Sequence, residues 1–293
     1  MARARKKTVK PPAPVTGKGT LYVVATPIGN LEDITLRALR ILKESDLIAA
    51  EDTRHTRKLL SHFNITTPTL SYYKGKERER AAVIIGKLHA GLNVALVSDA
   101  GTPCISDPGY ILVQSAVAEN IRIEPVPGPS SLTAALSVAG LTENTFVFLG
   151  FAPPRKKQRR DLLRSLCGEK RYLVFFEAPH RLRAFVNDAL DVLGDRQLFW
   201  CRELTKMHEE QVHTTIAGLA AILAEKNIKG ESVIIISGAP DMEEISGAAL
   251  DELLKTHRDT GNMTCTDAVR EIVAQHKLPR SAVYSRALKI WKG

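Results

Sequence analysis

The segment EDTRHT, Glu51 to Thr56, follows the apolar run LIAA and sets two carboxylates, a guanidinium and an imidazole close together. Groups of these types can take the proton of a weakly acidic hydroxyl while a guanidinium holds a neighbouring anion. Asp52 and His55 are the candidates for the proton, and Arg54 for the anion. A rate that falls below about pH 6 would mark the imidazole, and a flat one the carboxylate. The same residues also have a structural use: Asp52 can cap a helix RHTRKLLSHF whose solvated face carries Arg54 and Arg57.

A second segment, SDAGTPCISDPG from Ser98 to Gly109, leaves the apolar run NVALV and uses two Gly, two Pro and two Asp before the apolar pattern resumes at Tyr110. Glycine opens backbone angles closed to other residues and proline fixes its own, so this is a shaped loop with something seated against it. Three other strand ends carry comparable loops: ATPIGN, PVPGPSS and FFEAPH. In open α/β sheets ligands sit outside the carboxyl ends of the strands, so these loops together describe a cleft. Neither a GxxxxGK[ST] phosphate loop nor a GxGxxG fingerprint is present. Asp99 and Asp107, with no Lys beside them, disfavour a pyrophosphate; a cofactor without phosphates and bearing positive charge fits better.

The elements that position these loops alternate. Short β-branched runs (TLYVVAT, LIAAE, NVALVS, RIEPV, TFVFLG, RYLVFFE, QLFWCREL, SVIIIS) are separated by segments of helical periodicity. The fold class is α/β with mostly parallel pairing in the first half. Four segments are expected: a basic tail over 1–18, a first lobe over 19–145, a second over 146–240 and a helical extension over 241–293. GFAPPRKKQ, with its proline pair, reads as the joint between the lobes.

Charge is unevenly spread. The net +9 includes six Lys or Arg and no acid in residues 1–18, a composition that forms no core and is expected to be disordered. RKKQRR, Arg155 to Arg160, and the acid-free stretch from His276 onward add basic patches suited to a polyanion. Solvated tails and helix faces have the same composition. Four cysteines far apart, with no CxxC pair, argue against a zinc knuckle or a disulfide framework. No apolar stretch approaches the roughly 20 residues of a membrane span, and the N-terminus lacks the apolar core of a signal peptide. A cytoplasmic protein with no membrane partner is expected.

Seven blocks in order carry a resemblance: TPIGN (26–30), EDTRHTRKLL (51–60), SDAGTPCISDPG (98–109), PVPGPSS (125–131), FEAPHRL (176–182), RELTKMHEE (202–210) and KGES (229–232). The chain resembles, from about Gly19 to Pro240, the ribosomal RNA small subunit methyltransferase I family, a branch of the tetrapyrrole methylase superfamily. The resemblance implies a two-lobed class III methyltransferase fold, a homodimer, S-adenosylmethionine bound between the lobes, and methyl transfer to the ribose 2′-hydroxyl of a cytidine in the decoding region of 16S rRNA within the small ribosomal subunit. It implies that Pro27 and Gly29 shape the pocket floor. Asp99, Ala100, Gly101, Thr102 and Ser106 would line the pocket; Gly128, Ser130 and Ser131 would lie at a helix start, and Phe176, Glu177 and Ala178 would come from the second lobe. It places EDTRHT beside the methyl acceptor.

By position, Glu177, His180, Arg202, Glu203 and Lys206 are further candidates. Glu177 and Lys206 join Asp52 and His55 as possible catalytic groups, and Arg54, Arg57, His180, Arg181 and Arg202 are candidates to bind substrate. For several of these a core role or an ordinary salt bridge is the competing reading. Family chains start close to TLYVV, so the basic tail is an extension. The C-terminal CTDAVREIVAQHKLPRSAVYSRALKI reads as helix, short turn at Pro279, helix; it is compatible with a nucleic-acid-binding module or with a helical cap. Two other functions stay open: C-methylation of a tetrapyrrole, whose acceptor is a polycarboxylate, and an RNA-binding assembly factor without turnover.

Overall fold

The computed structural model describes residues 17–226, 228–240, 247–260, 263–276 and 280–292. The expected basic tail lies outside the described residues except for Gly17 and Lys18. The first sheet consists of β1 (Thr20–Val24), β2 (Leu47–Ala50), β3 (Thr69–Ser71), β4 (Val94–Val97) and β5 (Arg122–Val126), in the order β3-β2-β4-β1-β5, all parallel. A parallel sheet must be covered on both faces, which is why LIAA and VALV are near-continuous apolar runs.

The helices α1 (Leu36–Glu44), α2 (Thr53–His62), α3 (Glu77–His89), α4 (Tyr110–Ala118) and α5 (Ser131–Val138) connect the strands. Ile41 and Leu42 of α1 and Leu60 of α2 pack with Val24, Ile48 and Val126 in one core. Ile84, Leu88, Leu112 and Ala116 of α3 and α4 pack with Leu21, Ala49 and Leu96 in another. The two layers bury opposite faces because successive strand side chains point to opposite sides.

The second sheet is mixed. Its strands are β6 (Phe146–Phe151), β7 (Tyr172–Glu177), β8 (Gln197–Arg202), β9 (Glu210–Thr215) and β10 (Ser232–Ile236), ordered β6-β7-β10-β8-β9. β6 and β7 are parallel, and β10 runs antiparallel between β7 and β8. One face is covered by α6 (Lys156–Ser165), α7 (Pro179–Leu193) and α8 (Ile216–Glu225), through Leu163, Phe185, Val186 and Leu219. The other face packs Val174, Phe199, Val233 and Ile235 against Ala135 and Ala139 at α5 and beyond its end, so α5, which follows the last strand of the first sheet, is buried on the second.

Three sequence expectations change. β3 and β9 are edge strands that the apolar pattern does not reveal; TLS and EQVHTT are short or polar, and their pairing comes from a neighbour. GFAPPRKKQ is no joint between sheets: Gly150 lies within β6 at φ 61°, beside a register irregularity, and the prolines lead from β6 into α6. RKKQRR is only partly a basic surface. Arg159 is buried and its Nε and Nη2 donate to Asp188 Oδ2 at 2.9 and 2.6 Å, while Arg160 bridges Asp188 and Asp191, leaving Arg155, Lys156 and Lys157 exposed.

Residues 240–293 form a separate compact unit. Its described helices are α9 (Gly247–Asp259), α10 (Cys265–His276) and α11 (Arg280–Lys292), around Leu250, Leu254, Val269, Ile272, Val283 and Ala287. The turn read at Pro279 lies outside the described residues. No helix among the described residues is long and apolar enough to cross a membrane.

Candidate active site

The loop leaving β4 doubles back across the end of β1. Thr26 and Gly101 exchange both backbone hydrogen bonds, at 2.9 and 3.0 Å, and Thr102 Oγ1 donates to the Pro129 carbonyl at 3.1 Å. Gly101 sits at φ 79°, in the left-handed region that a side chain disfavours. Cys104 is held at φ 70°, and a Cβ at Gly109 would strike the Cys104 sulfur. The turn residues of SDAGTPCISDPG therefore make a fixed shelf, with backbone strain next to a cleft.

That cleft opens between the carboxyl edge of the first sheet and β7, β8 and β10 of the second. Of the residues expected at a cofactor, Ala100, Gly101, Thr102, Ser106, Ser130, Ser131 and Phe176 line it; so do Arg202 and Lys206. Ser130 is the N-cap residue of α5, yet its hydroxyl makes no capping bond, so it remains available to a ligand. Asp107, read from the sequence as a carboxylate facing the ligand, lines the cleft too, whereas sequence reasoning missed Ile28, Leu204, Glu231 and Ser232. Ser232 is informative: its hydroxyl is buried, lines the cleft and has no hydrogen-bond partner in the protein, a costly state that a ligand group would relieve. Its only sequence signal was its place at the end of KGES.

Pro27, Gly29, Asp99, Gly128, Glu177 and Ala178 do not line the cleft. Gly29 is roofed by the loop between β8 and β9, where a Cβ would lie 2.8 Å from Thr205 Oγ1 and 2.9 Å from the Leu204 carbonyl. The amide of Asn30 donates to Thr205 Oγ1 at 3.0 Å, and Glu203 and Thr205 hold φ of 52° and 65°, so this loop is clasped onto TPIGN. Gly128 permits close packing against Ala25. Glu177 is fully buried, accepts the Ala178 amide at 3.0 Å and pairs with Arg181 Nε at 3.1 Å. Burial raises its pKa against the opposing Ala178 amide and the charges of Arg181, Arg159 and His180. Arg181 also donates to the Ala152 carbonyl. Ala178 is the N-cap residue of α7, with Pro179 behind it in the first turn.

The EDTRHT residues separate. Asp52 caps α2, accepting the Arg54 amide at 2.8 Å, and holds the Arg54 side chain at 2.8 and 3.1 Å. The hydrogen bonds from Arg54 push its pKa far below the ordinary carboxylate range, which makes it a poor proton acceptor. The capping use of Asp52 is thus the one the geometry shows. His55 and Arg57 are exposed on α2, and His180 on α7. Arg202 pairs with Glu210 at 2.8 Å and Lys206 with Glu203 at 2.8 Å, so both cleft cations are already neutralised.

Glu51 stands apart. Its Oε2 accepts the Asp99 amide at 3.4 Å, and Asp99 Oδ1 in turn accepts the Asp52 amide at 3.0 Å, a reciprocal tie between the ends of β2 and β4. Burial, then the charges of Asp107 and Asp99, raise Glu51 to about 7, with a smaller push from Glu231. Burial and Glu231 raise Asp107 to about 6. Among the described residues no group of His, Cys, Asp and Glu is arranged to hold a metal ion.

This donor set fits S-adenosylmethionine. The backbone shelf at Ala100 and Gly101, hydroxyls at Thr102, Ser106, Ser130, Ser131 and Ser232, and an apolar wall of Ile28, Leu204, Phe176 and Val233 surround a cleft whose unmatched charges are carboxylates. Such a cleft repels phosphate and favours a cation.

Residues 20–220 match the family described as Tetrapyrrole (Corrin/Porphyrin) Methylases. Two proteins named "Ribosomal RNA small subunit methyltransferase I" are similar over nearly the whole chain. That of Halalkalibacterium halodurans is 43% identical, over 92% of this chain and 94% of its own. That of Synechocystis sp. is 46% identical, over 93% and 98%. Among solved structures, uroporphyrin-III C-methyltransferase from Thermus thermophilus complexed with S-adenyl homocysteine has a TM-score of 0.56 at 20% identity, covering 75% of this chain and 97% of that one. Diphthine synthase has a TM-score of 0.59 at 14% identity, covering 75% and 90%. These two establish the fold alone. With a family match across both sheets and relatives above 40% identity over nine-tenths of its length, this chain belongs to the tetrapyrrole methylases and, within them, to the ribosomal RNA small subunit methyltransferase I family.

Proposed function

We propose that this protein methylates 16S rRNA with S-adenosylmethionine, at the 2′-hydroxyl of a cytidine ribose in the decoding region. The observation that carries the reading is the cleft itself: a shaped glycine shelf, uncommitted hydroxyls and carboxylates without free cations, in a chain whose relatives bear an rRNA methyltransferase name. The cytidine and the 2′-position rest on the seven ordered sequence blocks.

S-adenosylmethionine, when bound, supplies a methyl group made electrophilic by its sulfonium. The shelf from Ala100 to Ser106, with Ser130, Ser131, Phe176 and Ser232, holds the cofactor, and Asp107 and Glu231 balance its charge. The chain must then orient the ribose hydroxyl and remove its proton. Glu51 is the group we assign to the proton, in place of Asp52, which Arg54 holds ionised, and Glu177, which is sealed in an ion pair. His55 and Lys206 stay candidates to orient the acceptor, and Arg57 and His180 to hold it; Arg54, Arg181 and Arg202 would have to leave existing partners to do so. The residues 19–145 and 146–240 act as two lobes of one site, in a cytoplasmic homodimer that light scattering would reveal.

The decisive experiment is mass mapping of small-subunit rRNA from cells with and without the protein, joined to transfer of labelled methyl from S-adenosylmethionine in vitro. The expected product is one cytidine whose 3′ bond resists alkali. Label on a base or on a tetrapyrrole overturns the reading.

A further inference from the structure

The carboxylates around the cleft raise a difficulty for an RNA substrate, because they repel the phosphates on either side of an acceptor ribose. Those phosphates need cations outside the cleft. The segment SYYKGKER, which runs from the last residue of β3 through the loop 72–76 into the first turn of α3, carries three: Lys74, Lys76 and Arg78 are exposed, and none has an ion-pair partner among the described residues. Tyr73 beside them is 40% exposed. Glu77 ties this loop to the cleft shelf, its Oε1 accepting the Gly109 amide at 3.3 Å. Gly109 is followed by Tyr110, the first residue of α4, which is 63% exposed. The two segments that this hydrogen bond joins thus each expose a tyrosine, and one of them also carries three unpaired cations.

Strand order sets the distance. β3 and β4 are separated only by β2, and neighbouring strands lie about 4.8 Å apart, so the loop starts about 10 Å along the sheet edge from the cleft shelf. Arg57 and Lys58 on α2, which follows β2, are exposed as well. We propose that the segment Tyr73–Arg78, the loop after β3 and the start of α3, forms with Tyr110 the docking surface for the single-stranded RNA that flanks the acceptor nucleotide. Its lysines and arginine hold the backbone phosphates and its tyrosines stack on unpaired bases. An acidic polypeptide would match the cations and leave the two exposed rings unused. This assignment rests on the reading of the substrate as RNA.

The test uses the full chain, purified small ribosomal subunits and a single-stranded RNA of about a dozen nucleotides. The double variant K74A/K76A should flatten the salt slope of RNA binding by about 1.4, two phosphate contacts at about 0.7 each. Tyr73→Ala should weaken RNA binding about fivefold or more with the slope unchanged. In both, KM for the subunit rises, while kcat at saturating subunit and calorimetric affinity for S-adenosylmethionine stay within about twofold. An unchanged slope and KM overturn the proposal while wild-type methyl transfer to rRNA stands. So does lost affinity for polyglutamate without lost affinity for RNA, which would assign the loop to a protein partner. A wild-type chain that binds no RNA overturns both readings.

Discussion

Two sets of charged groups leave water in this chain, and their surroundings differ. Over the second sheet, Asp188 is buried between α6 and α7. Desolvation would raise its carboxyl, yet the hydrogen bonds of Arg159 and Arg160 bring it below its ordinary value. At the carboxyl edge of the first sheet, Glu51 and Asp107 are also drawn from water, and what faces them is more carboxylate: Asp99 and Glu231. One set is satisfied within the fold. The other is held in a state that a cationic ligand would relieve. Buried charges with complete partners mark stability, and those left facing like charge mark a site.

The comparison can be broken most directly at Asp188. Asp188→Ala strands a buried guanidinium and should cost about 3–5 kcal/mol in denaturant unfolding, with S-adenosylmethionine affinity per folded molecule unchanged. A loss below about 1 kcal/mol would mean that the pair is not the anchor described. Glu51→Gln should do the reverse. Single-turnover methyl transfer should fall about 100-fold, with no loss of stability, and the wild-type rate should rise as pH passes through about 7. If Glu51→Gln lowers stability and leaves the rate per folded molecule unchanged, the two sets have been misassigned.

Asp52→Ala sharpens the boundary between them, because Asp52 follows Glu51 directly yet serves as a cap. Its expected effect is a fall in Tm of roughly 2–4 °C and less than about threefold in transfer rate. A tenfold or larger loss of rate would return the proton to Asp52.

The smallest effect is a pH dependence of stability. Glu51 and Asp107 bind protons more tightly folded than unfolded, so their contribution is complete below about pH 4 and is lost as pH rises through about 6 and 7. Between pH 5 and 8 the Tm of the free protein should drop by about 1–2 °C more in wild type than in Glu51→Gln, after discounting for solvent screening. Saturating S-adenosylmethionine should remove that difference; a wild-type Tm that rises over this range contradicts the assignment.

Much of this was legible in residue order. Local patterning reveals LIAA and VALV as strands buried on both faces, every helix that links the strands of either sheet, and the turn residues of SDAGTPCISDPG as a shaped loop, because periodicity and the angles of Gly and Pro are properties of neighbours in the chain. Pairing is not such a property. β3 and β9 exist because an adjacent strand offers hydrogen bonds, and Gly29 is excluded from the cleft because a loop some 175 residues away closes over it. The same limit applies to charge. EDTRHT announces two carboxylates, but whether Asp52 or Glu51 keeps a usable proton affinity depends on Arg54 folding back onto one and on Asp99, Asp107 and Glu231 converging on the other. Sequence determines which groups can titrate; the tertiary structure decides which do so near neutrality, because desolvation and Coulomb energy depend on distance in space, with no regard to separation along the chain.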